Sequence, residues 1–230
     1  PFCRELWSSA EQQQNYLPGV PEGSDLCITP VSAPENHYVR IKADNRLEAD
    51  GTLRGTFTLT AEGQSDSNIR RIFTTGFQSE WKSTMERQLL AISPKARLLS
   101  VDYGKNPKDY QAAPIKITFR YEIPDYALKG EGEMFFRPMV MNNFYNQVRS
   151  YMWIDTSVEN RKYGFKDGCS RLVELDETIQ LPAGYKLVSA AKDETMQGVG
   201  ADFEGSLVQK GNKVLLHNRL ALKKRVYEAS

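Results

Sequence analysis

Cysteine and histidine are scarce in this chain. It has three cysteines, Cys3, Cys27 and Cys169, and two histidines, His37 and His217, among 230 residues. Three scattered cysteines do not make a disulfide scaffold; isolated, mostly buried thiols are the expectation, with a single bridge as the alternative. There is no His-x-x-x-His, no Cys-x-x-Cys and no alternating Asp loop, so no metal site is signalled and no cofactor is expected. Gly198-Val199-Gly200 lacks the third glycine and the β-α-β surroundings of a dinucleotide fingerprint, and reads as a turn. Long apolar runs are missing as well: stretches such as Leu89-Leu90-Ala91-Ile92 are far too short to span a bilayer. Nor does one sign of charge dominate. The 30 basic residues are balanced by 29 acidic ones, which argues against a nucleic-acid binder with its concentrated basic patch.

What the chain does have is strand periodicity. Val173, Leu175, Ile179 and Leu181 share one parity, and Glu174, Asp176, Thr178 and Gln180 share the other. Leu181-Pro182-Ala183-Gly184 then suits a type I turn. Lys210-Gly211-Asn212-Lys213 signals a two-residue hairpin. The returning strand sets Val214, Leu216, Leu220, Leu222 and Val226 against His217, Arg219, Lys223 and Arg225, which predicts one dry face and one wet, basic face. Lys223-Lys224-Arg225 belongs to that wet face. An earlier hairpin turns at Asp50-Gly51, with Val39, Ile41, Ala43 and Leu47 on the way out and Leu53, Phe57, Leu59 and Ala61 on the return. Ile115, Ile117, Phe119, Tyr121 and Ile123 alternate with Lys116, Thr118, Arg120 and Glu122, and Leu99, Val101 and Tyr103 suggest a further strand.

Between these strands the period lengthens towards 3.6. Ile69, Ile72 and Phe73 predict a short helix closed by Gly76 as its C′ residue. A second helix is expected from Ser79 as N-cap, with Trp81, Met85, Leu89 and Ile92 on one face and Pro94 ending it. The expected fold is therefore mainly β, with antiparallel sandwich-like sheets and a short helical insertion at about 65–93. The expected organisation is an entry segment over 1–36, a first β module over 37–135 carrying the insertion, and a second β module over 136–230.

Candidate sites are few. A Cys-His pair would need a base within hydrogen-bond reach of a thiol and a third group to orient it. Nothing in the spacing brings His37 or His217, both expected as surface imidazoles on strands, to any cysteine. The stretch from Phe135 to Trp153 is rich in aromatic residues. Phe144, Tyr145, Tyr151 and Trp153, flanked by Asn142, Asn143, Asn146 and Gln147, form a candidate platform for a glycan or peptide; core packing is the alternative. An open sheet edge is a second candidate for peptide binding.

One resemblance reaches further. Glu11-Gln12-Gln13-Gln14-Asn15-Tyr16-Leu17, then Gly23 to Thr29, Pro30 and Pro34-Glu35-Asn36, resembles the end of a bacterial transglutaminase-like domain. The rest of the chain is similar to the β-rich domain downstream of that core, through the Asp50-Gly51 hairpin, the Arg70-Arg71 helical insertion and the stretch Ile179-Gln180-Leu181-Pro182-Ala183-Gly184-Tyr185. In that family a papain-like Cys-His-Asp core lies between β-rich domains in secreted or periplasmic proteins. The resemblance implies that this core lies upstream of Pro1, where the chain opens in what reads as mid-domain sequence. None of Cys3, Cys27, Cys169, His37 or His217 matches the triad. The implied function is a non-catalytic accessory module that packs on, or presents substrate to, the upstream domain of the same polypeptide. The alternative is an extracellular glycan- or peptide-binding module.

Overall fold

The computed structural model describes residues 11–111, 114–142, 160–190 and 192–229. The described strands in chain order are β1 (Asn15–Tyr16), β2 (Cys27–Ile28), β3 (Tyr38–Leu47), β4 (Leu53–Ala61), β5 (Arg97–Asp102), β6 (Ile115–Ile123), β7 (Leu128–Lys129), β8 (Met134–Phe135), β9 (Phe165–Lys166), β10 (Arg171–Gln180), β11 (Glu194–Gln197), β12 (Ala201–Lys210), β13 (Lys213–Leu222) and β14 (Val226–Tyr227). Helices α1 (Gly63–Thr75) and α2 (Trp81–Leu90) fall between β4 and β5. Eight strands form one sheet in the order β11-β12-β13-β10-β3-β4-β6-β5, which leaves β11 and β5 as edges and does not close into a barrel. The fold is mainly β, antiparallel-rich, with a short helical insertion.

Antiparallel hairpins make up most of this sheet, but its centre is parallel. β10 runs alongside β3 in parallel, with Leu175 opposite Ile41 and Ile179 opposite Asn45. Parallel neighbours cannot be joined by a tight turn and need a long crossover. Here that crossover includes β4 to β9 and both helices. The strands of 37–135 and those of 136–230 thereby contribute to the same sheet.

Alternation sets the faces. Ile115, Ile117, Phe119, Tyr121 and Ile123 are buried, while Lys116 and Arg120 are exposed. β3 and β4 bury the corresponding residues, and Phe57 stacks on Phe119 with ring centroids 4.3 Å apart. The helices cover this half of the core face. α2 buries Trp81, Met85 and Leu89, spaced four residues apart, as the 3.6 period requires. Trp81, Phe73 of α1 and Tyr103 meet edge to face, at 5.1–5.6 Å between centroids. α1 is pinned by a buried ion pair, Arg70 Nε to Asp66 Oδ2 at 2.6 Å. Asp66 Oδ1 also accepts the Ile115 N–H, and Arg70 Nη1 donates to the carbonyls of Pro107 and Asp109. With these partners supplied, the pair is tolerated inside; removing one member would strand a buried charge.

Local expectations fail where the local rule was outvoted. Ser79 is no cap: it lies in a 3-10 turn, Gln78–Glu80, and Glu80 occupies the N-cap of α2 without a side-chain bond. Gly76 follows α1 in extended backbone, φ −110°, rather than in the left-handed C′ conformation. The β5 register shifts between Leu98 and Ser100, so Leu98 and Val101 turn inward and Leu99 is half-exposed. A bulge inserts one residue and inverts the parity that follows it. The turn after β10 is displaced by one residue: Tyr185 N–H donates to Pro182 O, and Gly184, at φ +83°, holds the third position, which is the type II arrangement. Arg225, expected on the wet face, is buried, with its guanidinium on the carbonyls of Gln12 and Asp167. Leu220 is only half-buried.

Phe119→Ala should cost about 3–5 kcal/mol, as for other large buried aromatics. Ser79→Ala should stay within about 0.5 kcal/mol, because no cap is lost. Urea unfolding of both variants checks this, and equal effects would contradict the assigned packing.

Candidate functional site

The core face of the sheet is not covered evenly. Beneath β3, β4 and β6 lie helices; beneath β10, β12 and β13 lie two irregular straps, residues 132–138 and 182–189, with a groove of about 690 Å3 between them. Leu47, Leu181, Leu207 and Val214, from strand ends on the core face, form its floor. Met134, Phe136 and Pro138 line one wall, and Pro182, Tyr185 and Leu187 line the other. Polar side chains are confined to the exposed rim, at Glu133, Lys186 and Ser189. A concave apolar space of this size is what small ligands or peptide side chains occupy.

Apart from the two residues of β8, both straps are irregular backbone, and both are held by side-chain hydrogen bonds. Gln209 Oε1 accepts the Leu187 N–H at 2.7 Å, which fastens the second strap to β12. The first strap is fastened twice. Tyr126 donates its hydroxyl hydrogen to Arg137 O and accepts from Asn142 Nδ2 at 2.7 Å. The 3-10 turn Met139–Met141 then sits on Glu177, whose Oε2 accepts the Val140 N–H at 3.0 Å.

Glu177 stands on the apolar parity of β10, fully within the core face. Its Oε1 accepts from Asn45 Nδ2 at 2.6 Å, and Asn45 Oδ1 accepts the Tyr121 hydroxyl. Gly55 lies between Asn45 and Tyr121 in the register, and a Cβ there would sit 1.9 Å from Asn45 Oδ1. The missing side chain is what admits this polar row into the sheet. Burial raises the Glu177 carboxyl above its ordinary range, against the lowering pull of its hydrogen bonds from Val140, Asn45 and Met139. It also raises the Tyr121 hydroxyl. Sequence reasoning missed this row, although it left a signal: Glu177, Asn45 and Gly55 each interrupt an otherwise apolar parity.

The sequence-derived candidates divide differently. Phe144, Tyr145, Tyr151 and Trp153 lie outside the described residues, as does Cys3. Cys169 is buried, with Arg171 Nη2 3.8 Å from its sulfur, and Cys27 is half-exposed. His217 is half-buried on the wet face, its Nδ1 2.7 Å from Asp176 Oδ1. His37 corrects the expectation of a surface imidazole on a strand. It is wholly buried at the end of the 3-10 turn Pro34–His37, and its Nδ1 accepts the Gln64 N–H at 3.1 Å. Gly63, at φ +59°, allows that approach, since a Cβ would lie 2.5 Å from Nδ1. Burial, with the Arg171 charge nearby, lowers the His37 pKa to about 4. Among the described residues no group of three or more His, Cys, Asp or Glu is placed to hold a metal, and no helix is long and apolar enough to cross a membrane.

A protein-family comparison matches residues 132–230 to DUF3858, described as a domain of unknown function with a solved structure. The matched stretch spans both straps and β10 to β14, and so every residue lining the groove except Leu47. Searches among curated proteins and among solved structures found no match.

His37 gives a pH test. The unfolded chain takes up a proton near 6.5 and the folded chain near 4, so stability should fall by about 2–3 kcal/mol as pH drops through that window. Glu177, raised in the fold, contributes the opposite slope, so the comparison is with His37→Gln. Urea midpoints between pH 7 and pH 4 should fall more steeply for the native chain, and parallel curves would remove His37 as the cause.

Proposed function

We propose that this chain is a non-catalytic accessory module of a secreted or periplasmic transglutaminase-like or peptidase-like protein. In this reading it holds an apolar stretch of peptide in the groove and presents it to an upstream catalytic domain. The observation that carries the reading is the groove itself: an aliphatic floor of strand residues between two straps, with the charged side chains Glu133 and Lys186 at the rim. Such a lining rewards burial of apolar side chains at about 25 cal/mol per Å2 and offers few partners for hydroxyls. That favours a peptide's apolar side chains over a sugar, whose polar groups would lose water without replacement.

Two stretches that carry the transglutaminase-like resemblance lie where this function needs them. Leu181-Pro182-Ala183-Gly184-Tyr185 forms one lip of the groove. The entry segment is tied to the body through Ser170 Oγ to Ser32 O and the Val226 N–H to Gln13 Oε1. Its β1–β2 ribbon turns Tyr16, Leu17, Leu26 and Ile28 outward at 48–67% exposure. Outward apolar side chains on an anchored ribbon suit contact with another domain. The non-catalytic part of the reading draws on His37, which burial keeps neutral at pH 7 and away from solvent.

Titration of apolar and of acidic decapeptides, followed by heteronuclear NMR, tests this. Apolar peptides should shift amides of 134–137 and 185–187, and Leu207→Glu should weaken binding at least about tenfold, the effect of roughly 1.4 kcal/mol. The chain alone should leave the peptides uncleaved and uncrosslinked. No shifts with any apolar peptide would remove the groove reading. Saturable thiol labelling that depends on either histidine would remove the non-catalytic one.

A further inference from the structure

The walls of the groove are built from irregular backbone, so something has to hold their spacing. The 182–189 wall follows β10 directly, through the Pro182–Tyr185 turn and the Leu187 bond to Gln209. The 132–138 wall has no strand partner on the sheet: β8, at its centre, pairs only with the two residues of β7. Besides the Tyr126 bond to Arg137 O, it is fixed immediately after Pro138, where Met139 and Val140 are both buried.

We propose that Glu177 is the positioning residue of the groove: by accepting the backbone N–H of Val140, its carboxylate sets the Phe136–Pro138 wall at its distance from the sheet. The inference rests on the groove being the binding site and adds what holds it open to a defined width. Two donors converge on this one side chain, the Val140 N–H on Oε2 and Asn45 Nδ2 on Oε1. Turning the Asn45 amide round would take its Oδ1 away from the Tyr121 hydroxyl hydrogen, so the amide is held with Nδ2 towards Glu177. Every neighbour of the carboxylate is thus a donor, an arrangement that an ionised carboxylate satisfies and a protonated one does not. A proton on either oxygen would meet an N–H, and the contact most free to give way is the one to the turn at 139–140.

The surroundings of Glu177 keep this dependence specific. Directly across from it stand Ala43 on β3 and Leu216 on β13. The titratable groups that face it are Tyr121 from β6 and Tyr126 from the loop beyond, both neutral well above pH 7; Arg137, beside Tyr126, is exposed. Asp176 and His217 belong to the opposite face of the sheet. Burial raises the carboxyl, which moves its titration towards neutral pH.

Hydrogen exchange of the Val140 amide, read by NMR without ligand, tests the positioning, and binding of an apolar decapeptide tests its consequence. In the His37→Gln chain, which removes the pH dependence assigned to His37, both protection at Val140 and peptide affinity should still fall as pH is lowered from 7 to 4. Glu177→Gln places an NH2 against the same donors. It should exchange roughly tenfold faster at Val140 at pH 7, the loss expected for a charged hydrogen bond, with a flattened pH profile and weaker peptide binding. Unchanged protection and affinity in Glu177→Gln would overturn the proposal. If that variant does not fold, a pH-independent Val140 protection in the His37→Gln chain overturns it equally. Faster Val140 exchange with no peptide binding in any form would leave the positioning intact and remove the groove reading instead.

Discussion

The structure hangs on a hydrogen-bonded row buried in its central sheet: Tyr121 to Asn45 to Glu177, and from Glu177 to the backbone at 139–140. The row crosses the parallel junction between β3 and β10, where the two sets of hairpins meet. Each member would be costly alone, since an unpaired polar group in an apolar core forfeits its hydration. Together they satisfy one another, and a network of this kind tolerates little displacement. Gly55 belongs to the same constraint, because only an absent side chain leaves room for the Asn45 amide.

From that row outward the two halves of the core face are finished by different means. α1 and α2 satisfy their own backbone and need only an apolar stripe and one buried ion pair to seat them. The straps beneath β10, β12 and β13 have at most the two-residue β7–β8 ladder and borrow further partners from Tyr126, Gln209 and Glu177. Helices close a surface, whereas straps held at a few points leave space between them. The groove arises from that difference, and its chemistry comes from strand parity, which puts Leu47, Leu207 and Val214 on its floor. The surface proposed to bind peptide is therefore the part of the core face that was not sealed.

Much of the fold could be read from the chain because a period of two or of 3.6 is a local property. The faces of β3, β4, β6 and β10, and the Trp81, Met85 and Leu89 stripe, needed nothing beyond side-chain spacing. The errors lie where a distant partner decided. Parity cannot anticipate the bulge at Leu98 and Ser100, because a bulge is defined by both strands. Ser79 has the composition of a cap and yet sits in a 3-10 turn one step early. His37 and Arg225 are polar residues next to polar neighbours, yet both are buried, since the entry segment folds over them with Gln12 as a partner to each, and Gln64 of α1 donates to His37.

By itself, then, the sequence determined a mainly β chain with a helical insertion, a balanced surface and hairpins at Asp50-Gly51 and Gly211-Asn212, because each of these depends on neighbouring side chains and turn chemistry. Tertiary structure alone decided that β3 and β10 lie side by side, that Glu177 on an apolar parity meets Asn45 and the Val140 N–H, and that a groove opens beside them. Residues 45, 121, 140 and 177 are separated by tens of positions, and no periodicity reaches that far. What unites them is the need of a buried carboxylate for donors, which only the folded sheet can bring together.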